Sequence, residues 1–109
     1  MLPVFAYVLA ARRKYGDIFK VGNMDNVYLV GGLRSYVGVV NGMYRHVPAE
    51  KLGAAVLKQV MAKYAVLKPD YIIAGNGVGA GGNIARLMAL EAGVDTAVPA
   101  FTIDVQCGS

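Results

Sequence analysis

The chain has 109 residues, one domain at most, and 56% of them are hydrophobic against 17% charged, which excludes a disordered tail or an acidic solvating segment. Its net charge of +4 gathers at the start, where Arg12, Arg13, Lys14 and Lys20 face only Asp17; the nearly neutral remainder has no basic stripe with interleaved aromatics and does not read as a nucleic-acid surface. One cysteine excludes a disulfide framework and a Cys-rich zinc site and fits a reducing cytosol, and the longest apolar run, 2–11, is short of the ~20 residues a membrane helix needs.

Residues 3–15 have helix-forming composition, with Pro3 tolerated in a first turn and Gly16 as a stop. The segment runs apolar first and basic after, the reverse of a secretory signal, and lacks the serine of a transit peptide. Residues 1–23 therefore read as an extension outside the main fold, with Met24-Asp25 as an older start, and 24–109 as a partial domain. Residues 27–30 form a short apolar β-run ended by Gly31-Gly32. The loop 33–47 carries Arg34, Gly38, Gly42, Arg45 and His46, and its length marks it as a candidate functional loop.

Residues 48–66 read as a helix, with Pro48 and Glu50 suited to its first turn. Leu52, Val56, Val60 and Tyr64 recur at i, i+4, with Leu57, Met61 and Leu67 beside them, and Lys68-Pro69 ends the pattern. A second buried strand, 71–74, leads into a glycine-rich turn, 75–82. Asn83 caps a helix through Ala92, in which Ile84, Leu87, Met88 and Leu90 are apolar and Gly93 holds the C-terminal cap position. A third strand, 98–103, is apolar on both faces except at Thr102, the pattern of a parallel strand covered on both sides. The order βαβαβ predicts an α/β fold with a mostly parallel, helix-covered sheet. Another helix is expected after Ser109, so the sequence reads as the front piece of something longer. Its last strand would then lack cover on one face, which predicts poor solubility or dependence on a partner.

Two features carry chemistry. The run Gly77-Val78-Gly79-Ala80-Gly81-Gly82 lies between a strand and a helix and matches G-x-G-x-x-G, with Asp104 at the distance of a ribose-binding acid. This is the pattern of a small dinucleotide-binding module built on Gly77, Gly79, Gly82 and Asp104. The alternative is a loop where backbones approach closely. Cys107 follows an apolar strand and precedes two small residues, Gly108 and Ser109. A strand turning tightly into a helix aims a side chain outward at the sheet's carboxyl edge. The positive helix end favours thiolate there, so Cys107 is a candidate for covalent acyl transfer, against the alternative of a small buried hydrophobe.

The segment Val98-Pro99-Ala100-Phe101-Thr102-Ile103-Asp104-Val105-Gln106-Cys107-Gly108-Ser109 resembles the active-site strand and nucleophile of the thiolase family. Asp25-Asn26-Val27-Tyr28-Leu29-Val30-Gly31-Gly32-Leu33-Arg34-Ser35-Tyr36-Val37-Gly38 resembles that family's first strand and turn, and Val47-Pro48-Ala49-Glu50-Lys51-Leu52-Gly53 the start of its first helix. Gly75-Asn76-Gly77-Val78 and Gly81-Gly82-Asn83-Ile84-Ala85-Arg86 are similar to its second-strand exit and second helix. The likeness runs from about Met24 to Ser109, in order.

The resemblance implies the N-terminal part of an acetyl-CoA acetyltransferase, in which Cys107 takes an acyl group from a CoA thioester. That group then passes to CoA or to a second acetyl-CoA. The family's activating histidine, second cysteine, asparagine and CoA-contacting loops lie downstream of its nucleophile, so the resemblance implies an incomplete enzyme, inactive as these 109 residues alone. It implies a CoA thioester as substrate, no resident cofactor and no metal. It also implies a cytoplasmic homo-oligomer, or a separate chain supplying the missing portion, with no nucleic-acid or membrane partner. His46 has no catalytic counterpart in the family and is read as a surface or loop histidine. Arg34 matches an arginine expected to anchor the first loop, and Arg86 one that packs at the family's subunit interface. The chain departs from the pattern at Ser35-Tyr36, where Thr-Pro is common, and at Asp104, where asparagine or another small polar residue is usual. A non-catalytic fragment that keeps the fold for assembly remains the alternative from another class.

Overall fold

A computed structural model describes residues 6–12, 27–65, 68–77, 79 and 81–104. They form β1 (Ala6–Arg12), β2 (Val27–Arg34), α1 (Ala49–Lys63), β3 (Ile72–Gly75), α2 (Ile84–Glu91) and β4 (Ala100–Ile103). The fold is α/β: β3 and β4 are parallel neighbours, paired from Ile72↔Ala100 to Gly75↔Ile103, with α2 in the crossover between them. α2 rests on both strands and α1 rests on α2.

Two expectations are corrected at the front of the chain. The helix expected over 3–15 is replaced by β1, which pairs antiparallel with β2 from Ala6↔Arg34 to Arg12↔Val27. A short apolar run has no periodicity that separates helix from strand, and pairing with β2 satisfies its backbone groups. Consequently β2 pairs with β1 rather than in parallel with β3 among the described residues. The strand also runs through Gly31 and Gly32 instead of ending there. Gly31 is a packing glycine: any Cβ on it would collide with the Tyr64 hydroxyl, so its lack of a side chain lets the end of α1 dock on β2.

The core fills the space between the helices and the inner face of β3–β4. One cluster joins Leu52, Val56 and Val60 of α1 to Ala74 of β3 and to Ile84, Ala85 and Met88 of α2. A second joins Ala54 and Leu57 to Ile72, Ala89, Ala92 and Val94. The α1 stripe read from the sequence is thus the buried one at Leu52, Val56, Leu57 and Val60, while Leu67 lies outside the described residues. Helix α1 ends at Lys63, short of 66, because Tyr64 leaves helical dihedrals at φ −117°. In α2 the buried arc uses small residues, and Leu87 and Leu90, on the opposite side of the wheel, are exposed.

Alternation along the two parallel strands turns Ile72 and Ala74 inward. Ile73, Phe101 and Ile103 stand on the other face and are exposed. Cover is therefore present on one face only among the described residues. None of the described helices is long and apolar enough to cross a membrane.

The end of α2 follows the cap read from the sequence. Gly93 takes φ +77°. Val94 N–H donates to the Ala89 carbonyl at 2.9 Å and Gly93 N–H to that of Leu90 at 3.1 Å, a Schellman closure with Val94 buried against Ala89. Gly93→Ala forces a Cβ into the left-handed region and should cost about 1–2 kcal/mol in urea unfolding. Nothing lies within 4 Å of that Cβ, so the loss would be conformational and not steric.

Candidate functional site

In a parallel sheet, functional groups collect at the carboxyl ends of the strands, where the connections to the following helices converge. Here that edge is closed by Asn76 N–H donating to the Ile103 carbonyl at 2.9 Å, which carries the β3–β4 pairing to the ends of both strands. The chain leaves β3 at this edge, and α2 packs beside β4. Cys107 lies outside the described residues, four positions beyond Ile103.

The start of α2 is fixed by side chains from two elements. Asn83 is the N-cap: its Oδ1 accepts Arg86 N–H at 3.1 Å, and its Nδ2 donates to the Ala100 carbonyl on β4 at 2.8 Å. The Thr102 hydroxyl donates to Asn83 Oδ1 at 3.0 Å and accepts Ala85 N–H at 3.1 Å. Alternate residues of β4, 100 and 102, thereby grip the first turn of α2. The sequence showed Asn83 as a cap and Thr102 as the one polar residue in an apolar strand. It gave no sign that the two meet, since they lie nineteen positions apart.

This arrangement disfavours the dinucleotide reading. A pyrophosphate needs free N–H groups at the helix start. Ile84 N–H donates to the Gly82 carbonyl at 3.1 Å, Ala85 N–H to Thr102 and Arg86 N–H to Asn83, so all three already have acceptors within the protein. Two of the glycines also have local explanations. Gly82 takes φ +89°, and a Cβ on Gly79 would lie 2.5 Å from Asn76 Oδ1. Asp104, the residue after β4, is exposed.

The remaining candidates fall elsewhere. Arg86, half-buried on α2, donates through Nη1 to the Val98 carbonyl at 2.8 Å and through Nη2 to that of Thr96 at 3.0 Å. It braces its own chain's connection into β4, a role the sequence did not show. Arg34 is exposed and donates to the neighbouring Ser35 carbonyl at 3.3 Å. His46 is exposed on the loop before α1, where its Nε2 accepts the Arg45 Nε–H at 2.6 Å. That loop is built from tight turns, Gly42 N–H to Val39 O and Arg45 N–H to Gly42 O, and it displays Tyr36, Val37, Val39, Val40 and Met43 to solvent. Among the described residues no three His, Cys, Asp or Glu side chains are grouped to hold a metal ion.

Comparison with known proteins matches residues 27–109 to the family model described as thiolase, N-terminal domain. A Staphylococcus aureus protein named as an acetyl-CoA C-acetyltransferase, VraB, is 39% identical over 88 residues, which cover 79% of this chain and 23% of the relative. A Staphylococcus epidermidis protein named as an acetyl-CoA acyltransferase is 37% identical over 91 residues, with the same coverage of each. The chain thus spans about a quarter of the length of these curated relatives.

Proposed function

The chain belongs to the thiolase family, and from that premise we propose that Cys107 is the nucleophile of an acyltransferase working on CoA thioesters. The reading is supported by the family match over residues 27–109 and by the likeness of the sequence around Cys107 to the family's nucleophile segment. In the reaction the Cys107 thiolate attacks the thioester carbonyl carbon. The bond from that carbon to the CoA sulfur breaks, and CoA leaves as a thiolate that takes up the proton given up by Cys107. The acyl group then moves from Cys107 to CoA, or to the carbon of a second acetyl-CoA that has lost a proton. Backbone N–H groups aimed at the developing oxyanion would supply much of the acceleration.

The 109 residues hold one histidine, the exposed His46, and one cysteine. The base that activates Cys107 and the second cysteine that moves the substrate's proton therefore come from outside this stretch, from a longer chain or from a partner. The substrate is a CoA thioester and no cofactor stays resident. The working assembly is a homo-oligomer, or a pairing with a chain that supplies the rest of the fold, in the reducing cytoplasm that a lone free thiol suits.

The test is acetyl transfer to sulfur. The native protein is mixed with acetyl-CoA, digested and read by peptide mass spectrometry. The expected product is a thioester on Cys107 that free CoA removes and that Cys107→Ser eliminates. Turnover of acetyl-CoA with Cys107 never modified, or turnover surviving Cys107→Ser, sinks the proposal. Absence of both adduct and turnover in the native assembly would leave the chain as an assembly element only.

A further inference from the structure

The loop before α1 holds a methionine on its outside. Two tight turns in series shape that loop, with Gly42 N–H donating to the Val39 carbonyl at 3.0 Å and Arg45 N–H to the Gly42 carbonyl at 3.1 Å. Asn41 supplies left-handed backbone to the first turn, at φ +59°. A Cβ on Gly42 would lie 2.9 Å from the Val39 carbonyl oxygen, so a glycine lets the two turns follow each other directly. Met43 takes the first corner of the second turn and is 65% exposed. Tyr44, the next residue, is half-buried against the cluster that contains Met88, and its ring fills the space that a side chain on Gly38 would need. Tyr44 thereby anchors the loop to the core, and Met43 stands outside with Tyr36, Val37, Val39 and Val40.

An oxidant must reach the thioether sulfur, so exposure decides which methionine reacts. Met88 is 0% exposed, and Met61 is half-buried against the second core cluster. We propose that Met43 is a modification site for hydroperoxides, at which the folded chain is oxidised with its core intact. The Met43 sulfur lone pair attacks one oxygen of hydrogen peroxide and the O–O bond breaks. The proton on the transferred oxygen passes to the departing hydroxide, leaving a sulfoxide and water. Sulfur gives up two electrons and the peroxide takes the same two. The product sets a polar oxygen among Tyr36, Val37, Val39 and Val40, so the exposed apolar surface of the loop loses apolar character. Sulfoxide formation is reversible by methionine sulfoxide reductases, which allows the site to be reset. The proposal makes no use of Cys107 and stands apart from the acyl-transfer reading.

The full chain is treated with dilute hydrogen peroxide, folded and in urea, and each methionine peptide is followed by mass spectrometry. Met43 should be oxidised in the folded chain at about its rate in urea. Met88 should be slower in the folded chain on the order of a hundredfold or more, because its oxidation waits for the core to open. Met61 should fall between them. Circular dichroism should be unchanged when Met43 is fully converted. Protection of Met43 in the folded chain, oxidation of Met88 at the pace of Met43, or loss of the native spectrum on conversion of Met43 each overturns the proposal. An apolar fluorescent dye reads the effect on the loop. Oxidised wild type should bind less dye than the untreated chain, and Met43→Leu, which keeps the apolar bulk without the sulfur, should lose most of that difference. A difference that persists in full in Met43→Leu overturns the change of surface character at the loop.

Discussion

Met88→Ala is expected to lower the unfolding free energy by about 2–5 kcal/mol. Met88 is 0% exposed and is the largest side chain in the protein to be so completely enclosed among the described residues. It sits in the cluster that joins Leu52, Val56 and Val60 of α1 to Ala74 of β3, so truncation empties the point where both helices and the parallel strands meet. Neighbours on two elements would have to move together to refill the space, which is why the loss should exceed simple transfer of the removed atoms. Domains of this size hold about 5–15 kcal/mol in all, so the change removes a large share. Urea unfolding followed by circular dichroism reads it as a lower midpoint. Leu87→Ala is the control: it lies one residue away on the same helix but is 53% exposed, and it should cost well under 1 kcal/mol. Equal losses at the two positions would mean that α2 does not pack as described.

That contrast also shows what the sequence disclosed and what it hid. Leu87, Met88 and Leu90 are alike in hydrophobicity, and the 3.6-residue period alone did not say which arc of the wheel turns inward. The buried arc is defined by Ala85, Ala89 and Ala92 as much as by Ile84 and Met88, because a close approach of α2 to α1 and β3 requires small residues. By contrast α1, β3, β4 and the two caps of α2 were legible. Each combines a local period with a residue of distinctive backbone chemistry: Pro48, Asn83, and Gly93 at positive φ. β1 was misread because a short apolar run satisfies either period. What decided it was a partner strand fifteen or more residues away, a non-local fact that composition does not carry. The same limit applied to the site. Asn83 and Thr102 were visible one by one, but the hydrogen bonds that join α2 to β4 exist only once the crossover has brought them together.

Arg86 is a second such residue, and replacing it should have the next largest effect. Its guanidinium is shared between the carbonyls of Val98 and Thr96, at 2.8 and 3.0 Å. Those carbonyls lie in the connection from α2 back to β4, which is otherwise shaped by the Asp95 side chain accepting Ala97 N–H at 2.9 Å and by Val98 N–H to the Asp95 carbonyl at 3.0 Å. The next residue, Pro99, accepts Ile72 N–H at 2.9 Å and so begins the β3–β4 pairing. Arg86 thus holds the point from which the register of β4 is counted. Hydrogen bonds to a charged donor are worth about 1.5–3 kcal/mol each when partly shielded, and the Thr96 bond, being exposed, lies at or below the bottom of that range. Arg86→Met, which keeps the aliphatic stem and removes the fork, should therefore cost about 2–3 kcal/mol. Arg86→Lys should recover only part of this, because a single ammonium does not reproduce a planar fork directed at two carbonyls. The loss should be the same across a wide range of protein concentration. An arginine whose work lay at a contact between subunits would instead show a loss that grows on dilution, and that result would move Arg86 from the inside of the chain to its surface of assembly.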